Sequence, residues 1–379
     1  MIRRFLRLCP RLPRPPGTGI RVLSTTADIP TKQRPKLTPL ASDTAADSHH
    51  PGPVDQQLSL GWAGATPKTV LLVRKANDHQ VDHALLRIAH WFHTTYPQIH
   101  LVLEPHVHRQ HRDQLPFALT LPAEDLRAEY ARTVDFVVTL GGDGTFLHVS
   151  SLFANEVPPI IPFSMGTLGF LLPFDVRDFP RHLHKVIEGG ATVLPRMRLM
   201  MSRINGGAGH GGAGEMHVTN EASIHRGTYP HLTTISCALD GHLLTTSVGD
   251  GIIVGTPTGS TAYALSAGGP IVHPLVSSIV LAPVCPRSLS FRPLMLPPTA
   301  VVELRVHRES RGRATAYVDG RDCGAVEQGD GVAIRRSPFP LLCVNREDLA
   351  LGWAQDINQL LMFNRTFSQP HETPFDERD

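Results

Sequence analysis

The stretch Val134-Asp135-Phe136-Val137-Val138-Thr139-Leu140-Gly141-Gly142-Asp143-Gly144-Thr145 decides the reading of this chain. A run of β-branched and aromatic residues followed at once by glycines reads as a buried strand feeding a tight turn. Phe146 to Phe153 suits a helix, and Ile160-Ile161-Pro162-Phe163 is the next apolar strand. Upstream, Thr69-Val70-Leu71-Leu72-Val73 is a strand, Val81, Leu85, Ile88, Ala89 and Phe92 fall at helical spacing, and Ile99 to Leu103 is a further strand. This β-α-β alternation predicts a parallel sheet flanked by helices. The glycine turn then stands at the carboxyl end of that sheet, where open α/β folds bind ligands.

Glycines at 141, 142 and 144 let backbone amides approach anionic oxygens without a Cβ in the way, and the following helix aims its first donors at the same place. The lysine of a Walker loop is absent, and so is a G-x-G-x-x-G spacing. A bland alternative is a plain turn in which Asp143 caps the next helix. The functional reading needs Asp143 to accept a hydroxyl proton or to meet phosphates through Mg2+, since a carboxylate among phosphate-binding amides otherwise repels the ligand.

From about Pro195 the texture changes to strand-like runs with glycine-rich turns: Met197 to Ile204, Glu215 to Ala222, Thr233 to Leu239, His242 to Val248, Ile252 to Thr256, Ser278 to Ala282, Val301 to Val306, Ala314 to Val318 and Gly331 to Arg336. These predict a mostly-β, antiparallel second domain. Asn205 to Gly214 has no packing potential and reads as a mobile insert. The expected layout is a transit peptide over 1–23, a disordered linker over 24–66, and an α/β domain over 67–195 joined by 345–365. A β-rich domain follows over 196–344, with a disordered tail over 366–379.

Residues 1–30 carry six arginines against one acid, Asp28, and contribute +5 to the formal +2, leaving −3 for the rest. An Arg-rich, acid-poor start ending in Ser24-Thr25 has the composition of a mitochondrial transit peptide; a basic disordered tail is the alternative. The acidic remainder has no basic stripe of the kind that releases counterions from nucleic acid. No apolar run is long enough for a membrane helix. The five cysteines lie too far apart for a zinc site or a small disulfide framework. His106, His108 and His111 sit among Pro105, Arg109 and Arg112 and read as a solvated loop, so no metal ligands are assigned.

Further polar groups suit a nucleotide. Asn220 offers donor and acceptor, and Glu221 a fixed acceptor for ribose hydroxyls, although the pair also suits a buried turn. Thr256-Pro257-Thr258-Gly259-Ser260-Thr261 combines a rigid turn with four hydroxyls, where the plain reading is a surface turn. Tyr263 can stack a ring or simply pack.

Taken together, these segments resemble the NAD kinase family, which shares its GGDGT loop with diacylglycerol, sphingosine and phosphofructokinase-type kinases. Four further segments are similar to that family's pattern in order: Phe163 to Leu171, Thr219 to Ala222, Gly249 through Pro270, and the pair Cys285–Pro293 with Val318-Asp319-Gly320-Arg321. The resemblance implies a diacylglycerol kinase/phosphofructokinase-like α/β domain, a β-rich domain holding most of the NAD, and assembly into homodimers or homotetramers. It implies ATP and Mg2+ as phosphoryl donor and companion ion and NAD or NADH as acceptor, while the transit-peptide composition of residues 1–23 points to the mitochondrial matrix. Asp143 is then the general base. Gly142, Gly144, Thr145, Phe170, Asn220, Glu221, Asp250, Thr258, Thr261, Ala262, Tyr263, Ala264, Leu265, Ser266 and Arg321 line the nucleotide sites. Val248 stands where many relatives carry a basic residue, so Arg226 or Arg321 would have to supply that charge. Two competing functions are a lipid kinase of the same group, against which the polar 256–263 signature speaks, and a catalytically silent dinucleotide sensor.

Overall fold

The computed structural model describes residues 29–40, 56–64, 66–122, 124–166, 169–204, 214–228 and 230–362. The transit-peptide segment 1–23, nearly all of the Asn205–Gly214 insert and the 366–379 tail lie outside them.

The first domain is built on a nine-stranded mixed sheet. Its order is Pro35–Pro39, Leu58–Trp62, Ala191–Arg196, Leu341–Asn345, Ile160–Ser164, Phe136–Gly141, Thr69–Arg74 and His100–Leu103, with Phe174–Asp175 paired to Ile160–Ser164. The strands from His100–Leu103 across to Ile160–Ser164 run parallel, as the β-α-β alternation predicts. Their residues are buried on both faces because helices cover both sides. One of these helices, His79–Thr95, is capped by the Asp78 carboxylate on the amides of Gln80 and Val81. It buries Val81, Ala84, Leu85, Ile88, Ala89 and Phe92 as one stripe, at roughly 1.5–3 kcal/mol for each large side chain.

The sheet is wider than expected, and antiparallel at its far end. Within the expected 24–66 linker, Pro35–Pro39 and Leu58–Trp62 are strands that pair antiparallel on the sheet's edge, with Leu58 and Leu60 buried; residues 24–28 and 41–55 lie outside the described residues. Ile29 is buried too, and buried Asp135 accepts hydrogen bonds from the amides of Gln33, Lys68 (2.6 Å) and Thr69 (2.8 Å). Leu341–Asn345 also belongs to this sheet, not to the second domain. Both segments are only five residues long, so local pattern alone gives no sign of a partner strand from elsewhere in the chain.

The second domain packs two six-stranded antiparallel sheets face to face. One runs Met216–Val218, Leu199–Ile204, Gly331–Arg336, Val302–Val306, Thr233–Leu239, His242–Gly249. The other runs Leu294–Leu296, Ile279–Val284, Gly251–Gly255, Glu221–His225, Ala314–Val318, Arg321–Val326. Alternating residues such as Ile235, Cys237, Ile252, Val254, Leu281 and Leu304 fill the space between them. The expected strand Glu215 to Ala222 is two strands, broken at Thr219-Asn220. That break puts Asn220 and Glu221 at a turn.

The His106 segment is likewise a helix, Pro105–His111, and not a loop. His111 is buried against Gln114 (3.0 Å) and Asp82 (3.4 Å). Among the described residues no three His, Cys, Asp or Glu side chains gather as metal ligands, and no helix is long and apolar enough to cross a membrane.

Candidate active site

Thr69–Arg74 pairs with His100–Leu103 on one side and with Phe136–Gly141 on the other. The chain therefore reverses its winding between Thr69–Arg74 and Phe136–Gly141, which opens a crevice at their carboxyl ends. A cleft of about 490 Å3 lies there, lined by Arg74, Lys75, Glu104, His106, Gly142, Gly144, Thr145 and His148. Arg74 is paired to Asp82 at 3.0 Å, whereas Lys75 is exposed at the rim, 3.3 Å from Asp78. Lys75 was not singled out by sequence; a lysine following a strand carries no mark of its own.

Gly141 has φ +153°, and a Cβ on it would lie 2.4 Å from Thr145 Oγ1, so only glycine allows the turn to close. The helix runs Asp143–Leu152, starting three residues earlier than Phe146, with Gly142 as its N-cap and no side-chain cap. The capping role for Asp143 is thereby excluded. Its carboxylate turns instead to the facing loop, where Oδ1 accepts the Leu171 amide at 3.2 Å. Burial raises the Asp143 pKa, opposed by the amides of Leu171 and Phe170 and by the charge of Arg196. A half-buried acid held by two amides is oriented and retains an open face.

Arg196 is buried, donates to Thr258 Oγ1 at 3.4 Å, and leaves Nε without a hydrogen-bond partner. It shares a tight cleft with Phe170, Leu171, Thr258, Thr261 and Trp353, with about 30 Å3 of free internal space. Here first-domain and second-domain segments meet. Sequence reading passed over Arg196, although an arginine in the apolar run Val193 to Met201 is itself a signal, because charge in a core needs a purpose.

The second-domain segments converge on one turn. Asp319, at φ 48°, accepts from the amides of Thr219 (3.0 Å), Asn220 (2.7 Å) and Glu221 (3.3 Å). In sequence the segment Val318-Asp319-Gly320-Arg321 stands out by its resemblance to the family pattern, which gives a site role to Arg321 and not to Asp319. Asn220 O accepts the Thr256 amide at 2.9 Å, and a Cβ on Gly259 would lie 2.0 Å from that same oxygen. The short helical turns Thr258–Thr261 and Tyr263–Ser266 follow directly, carrying Ala262, Ala264 and Leu265 with them. Arg321 is exposed at the start of its strand, its nearest assigned role being its charge beside Asp319.

Asp250 stands at the other end of its strand from Thr256, yet lies close enough to Tyr263 to help burial raise that residue's pKa, as Glu221 does. It precedes Gly251–Gly255 while Thr256 follows it, about 20 Å of extended chain away, and it pairs with Arg226 at 2.7 Å. Of the two arginines that could supply the charge missing at Val248, Arg226 is the one paired with Asp250 in the same segment. Near Asp250, the His225 ring stacks on Tyr317 at 4.6 Å and meets Tyr263 edge-on at 5.8 Å.

Glu221 is buried, with Oε2 unpartnered. Burial first, then the charge of Asp319, push its pKa up to about 7, opposed by the Tyr263 amide. The folded protein therefore keeps a proton that the unfolded chain has lost between the ordinary value of 4.5 and about 7. Stability contributed at this site falls as pH rises through that window, by on the order of 3 kcal/mol. Glu221→Gln raises the melting temperature of the ligand-free protein at pH 8 and leaves it nearly unchanged at pH 4.5. Equal gains at both pH values would show that ionisation of Glu221 carries no such cost.

The chain matches the ATP-NAD kinase N-terminal domain over residues 70–191 and the ATP-NAD kinase C-terminal domain over residues 219–346, more than half its length. It belongs to the NAD kinase family. The mitochondrial NADH kinase pos5 of Schizosaccharomyces pombe is 37% identical over 308 residues, covering 79% of this chain and 76% of that one. The mitochondrial NADH kinase POS5 of Saccharomyces cerevisiae is 37% identical over 374 residues, 86% and 88% of the two chains. A probable chloroplastic NAD kinase 2 of Oryza sativa is 38% identical, but there the match spans only 32% of the longer plant protein. Among solved structures, yeast NADH kinase complexed with NADH superposes with a TM-score of 0.78 at 31% identity, over 90% of this chain and 97% of that one. The kinase fold and the enzyme class follow: this NAD kinase family chain is a phosphotransferase.

Proposed function

We propose that this kinase transfers the γ-phosphoryl group of ATP to the 2′-hydroxyl of the adenosine ribose of NADH or NAD, yielding NADPH or NADP in the mitochondrial matrix. The observation that carries the reading is the Asp143 carboxylate, held by the Leu171 amide at the mouth of the glycine turn. It stands where helix-end donors for phosphate meet the facing dinucleotide segments. The yeast relative's complex with NADH and the mitochondrial names of both fungal relatives support it.

Phosphoryl transfer needs alignment and charge neutralisation more than covalent chemistry by the protein. The amides of Gly142 and Gly144 hold the ATP phosphates, with the Thr145 side chain beside them and Lys75 at the rim. Asn220 and Glu221 take the dinucleotide's hydroxyls and base edge, with Thr258 and Thr261 to Ser266 alongside. Asp143 orients the 2′-hydroxyl and takes its proton as the bond to phosphorus forms. Mg2+ suits a site with one carboxylate beside a phosphate cradle, since that ion binds through substrate phosphates and one or two carboxylates; Asp143 would hold it, and its charge would screen the phosphates. The lipid-kinase alternative needs an apolar acceptor pocket, and the segments facing Asp143 are hydroxyl- and amide-rich.

The chain assembles, in this reading, as a homodimer or homotetramer. The sheet edges His242–Gly249 and Leu294–Leu296 flank one groove of about 340 Å3. Leu243 and Leu289, next to its lining residues in sequence, are 69% and 86% exposed, apolar surface that a second subunit would cover. A single-chain mass by light scattering removes this part of the reading.

The test of function is a coupled assay with ATP and Mg2+ on protein lacking residues 1–23, offering NAD, NADH and diacylglycerol as acceptors. Saturable formation of NADP or NADPH is expected, with no turnover of the lipid. Binding of NADH without product would make the chain a sensor, and lipid turnover would make it the other kind of kinase. Recovery of the full-length protein outside mitochondria after cell fractionation would refute the location.

A further inference from the structure

The chain passes between its two domains twice, outward through Met197-Arg198-Leu199 and back through Ser337-Pro338-Phe339-Pro340. Both passages run past the carboxyl end of the helix Asp143–Leu152, and one side chain ties all three together. Arg198 is fully buried. Its Nε donates to Phe339 O at 2.6 Å, Nη1 to Ser150 Oγ at 3.3 Å, and Nη2 to Asn155 O at 2.5 Å. Its own carbonyl accepts the Ser337 amide at 2.9 Å.

The network continues into the second domain. Ser150 Oγ also accepts from Thr219 Oγ1 at 3.0 Å. Thr219 immediately precedes Asn220 and Glu221, its amide is held by Asp319, and its carbonyl accepts Thr256 Oγ1 at 2.6 Å. One unbroken set of hydrogen bonds thus joins the helix that begins at Asp143 to the turn that presents Asn220 and Glu221.

A guanidinium is an expensive way to fill this position. Burial pushes the Arg198 pKa down to about 10, with the charge of Asp319 opposing that shift, so the group stays charged in a buried site. Burying such a charge is often no more stable than burying an apolar side chain of the same shape. What a guanidinium adds is direction, because its planar fork holds three acceptors at set angles. Ser150 lies seven residues along the helix from Asp143, about 10 Å of rise, so a tilt at Ser150 moves the carboxylate.

We propose that Arg198, acting through Ser150 and Thr219, sets the gap between Asp143 and the dinucleotide's ribose by locking the glycine-turn helix against the Thr219–Glu221 turn. Arg198 is a positioning residue and touches no substrate. The proposal rests on the reading of Asp143 as the proton acceptor. A displacement of about 1 Å at a reacting group costs on the order of 100-fold in rate, whereas NADH, held by the second domain, does not sense the tilt of the helix.

The test compares kcat, the dissociation constant of NADH without ATP, and melting temperature for Ser150→Ala, Thr219→Val, the two combined, Arg198→Lys and Arg198→Met. Thr219→Val removes one hydroxyl and keeps both backbone bonds. Expected is a fall in kcat of roughly 10- to 100-fold in Thr219→Val and Ser150→Ala, with NADH affinity and melting temperature near wild type. The double variant falls no further than the worse single one, because both break the same bond. Arg198→Met loses kcat similarly, and Arg198→Lys regains part by donating to one of the carbonyls. If Arg198→Met does not fold, the Ser150 and Thr219 variants carry the test alone. Wild-type kcat in both of those, parallel loss of kcat and NADH affinity, or multiplying losses in the double variant would each overturn the proposal. Asp143→Asn separates the two ideas. Retained turnover there removes the acceptor reading even if Thr219→Val is slow, while slow Asp143→Asn beside fast Thr219→Val removes only the clamp.

Discussion

Asp143→Asn lowers kcat by roughly 100- to 10,000-fold, the span that a positioned acid or base contributes, while NADH binding survives. The substitution is nearly isosteric, and the amide oxygen of asparagine still accepts the Leu171 N–H that now holds Oδ1 at 3.2 Å. Loop 169–171 therefore stays in place. What disappears is the capacity to take the hydroxyl proton. The wild-type pH profile carries a second mark. Burial raises the Asp143 pKa more than the Leu171 and Phe170 amides and Arg196 lower it. Activity should then fall with acid at a pH above that of an ordinary carboxylate, as the acceptor becomes protonated. Stopped-flow and steady-state kinetics with ATP and NADH read both quantities. Near-wild-type turnover in Asp143→Asn would take Asp143 out of the acceptor role.

Gly259→Ala destabilises the protein and abolishes measurable dinucleotide affinity, whereas Gly169→Ala leaves the fold intact and slows the reaction. Both glycines are sites of close approach, but they face different atoms. A Cβ on Gly259 would sit 2.0 Å from Asn220 O and 2.4 Å from Asn220 C. That backbone is pinned by Thr256 N and by Asp319, so nothing can yield without moving Asn220 and Glu221. Overpacking against fixed atoms costs about 1–3 kcal/mol or more. A Cβ on Gly169 would instead meet Asp143 Oδ1 at 2.4 Å, the free end of a side chain, which can rotate away. The expected result is a melting temperature close to wild type with kcat lower by on the order of 100-fold. Thermal melts and NADH titration of the two variants decide this; a Gly259→Ala protein that melts and binds like wild type would mean that the Thr256–Thr261 turn does not brace Asn220.

Much of the site was legible because its chemistry is local. The glycine turn, the 256–261 hydroxyls and the Asn220-Glu221 pair are contiguous in sequence, and each carries a reason of its own for those residue types. The residues that were missed act over long separations. Asp319 reaches back to Thr219 and Asn220, Arg198 spans from Ser150 to Phe339, and Arg196 meets Thr258. Arg196 and Arg198 left a trace as charges inside an apolar run, and Asp319 stood in the recognisable segment Val318 to Arg321, whose site role had gone to Arg321 alone. Asp250 shows how far one signature spreads in space, since it sits at the other end of its strand from Thr256 and reaches the site through its charge on Tyr263.

By itself the sequence determined the two-domain order, the parallel strands around the glycine turn and the kinase family, because periodicity, glycine placement and motif chemistry are written in neighbouring residues. Only the tertiary structure decided which distant strands close the first sheet, how Leu341–Asn345 and the Leu58–Trp62 strand return to it, and which buried charges brace the site. Strand pairing and buried hydrogen bonds join residues a hundred or more positions apart, and no local pattern encodes the partner that satisfies a buried donor.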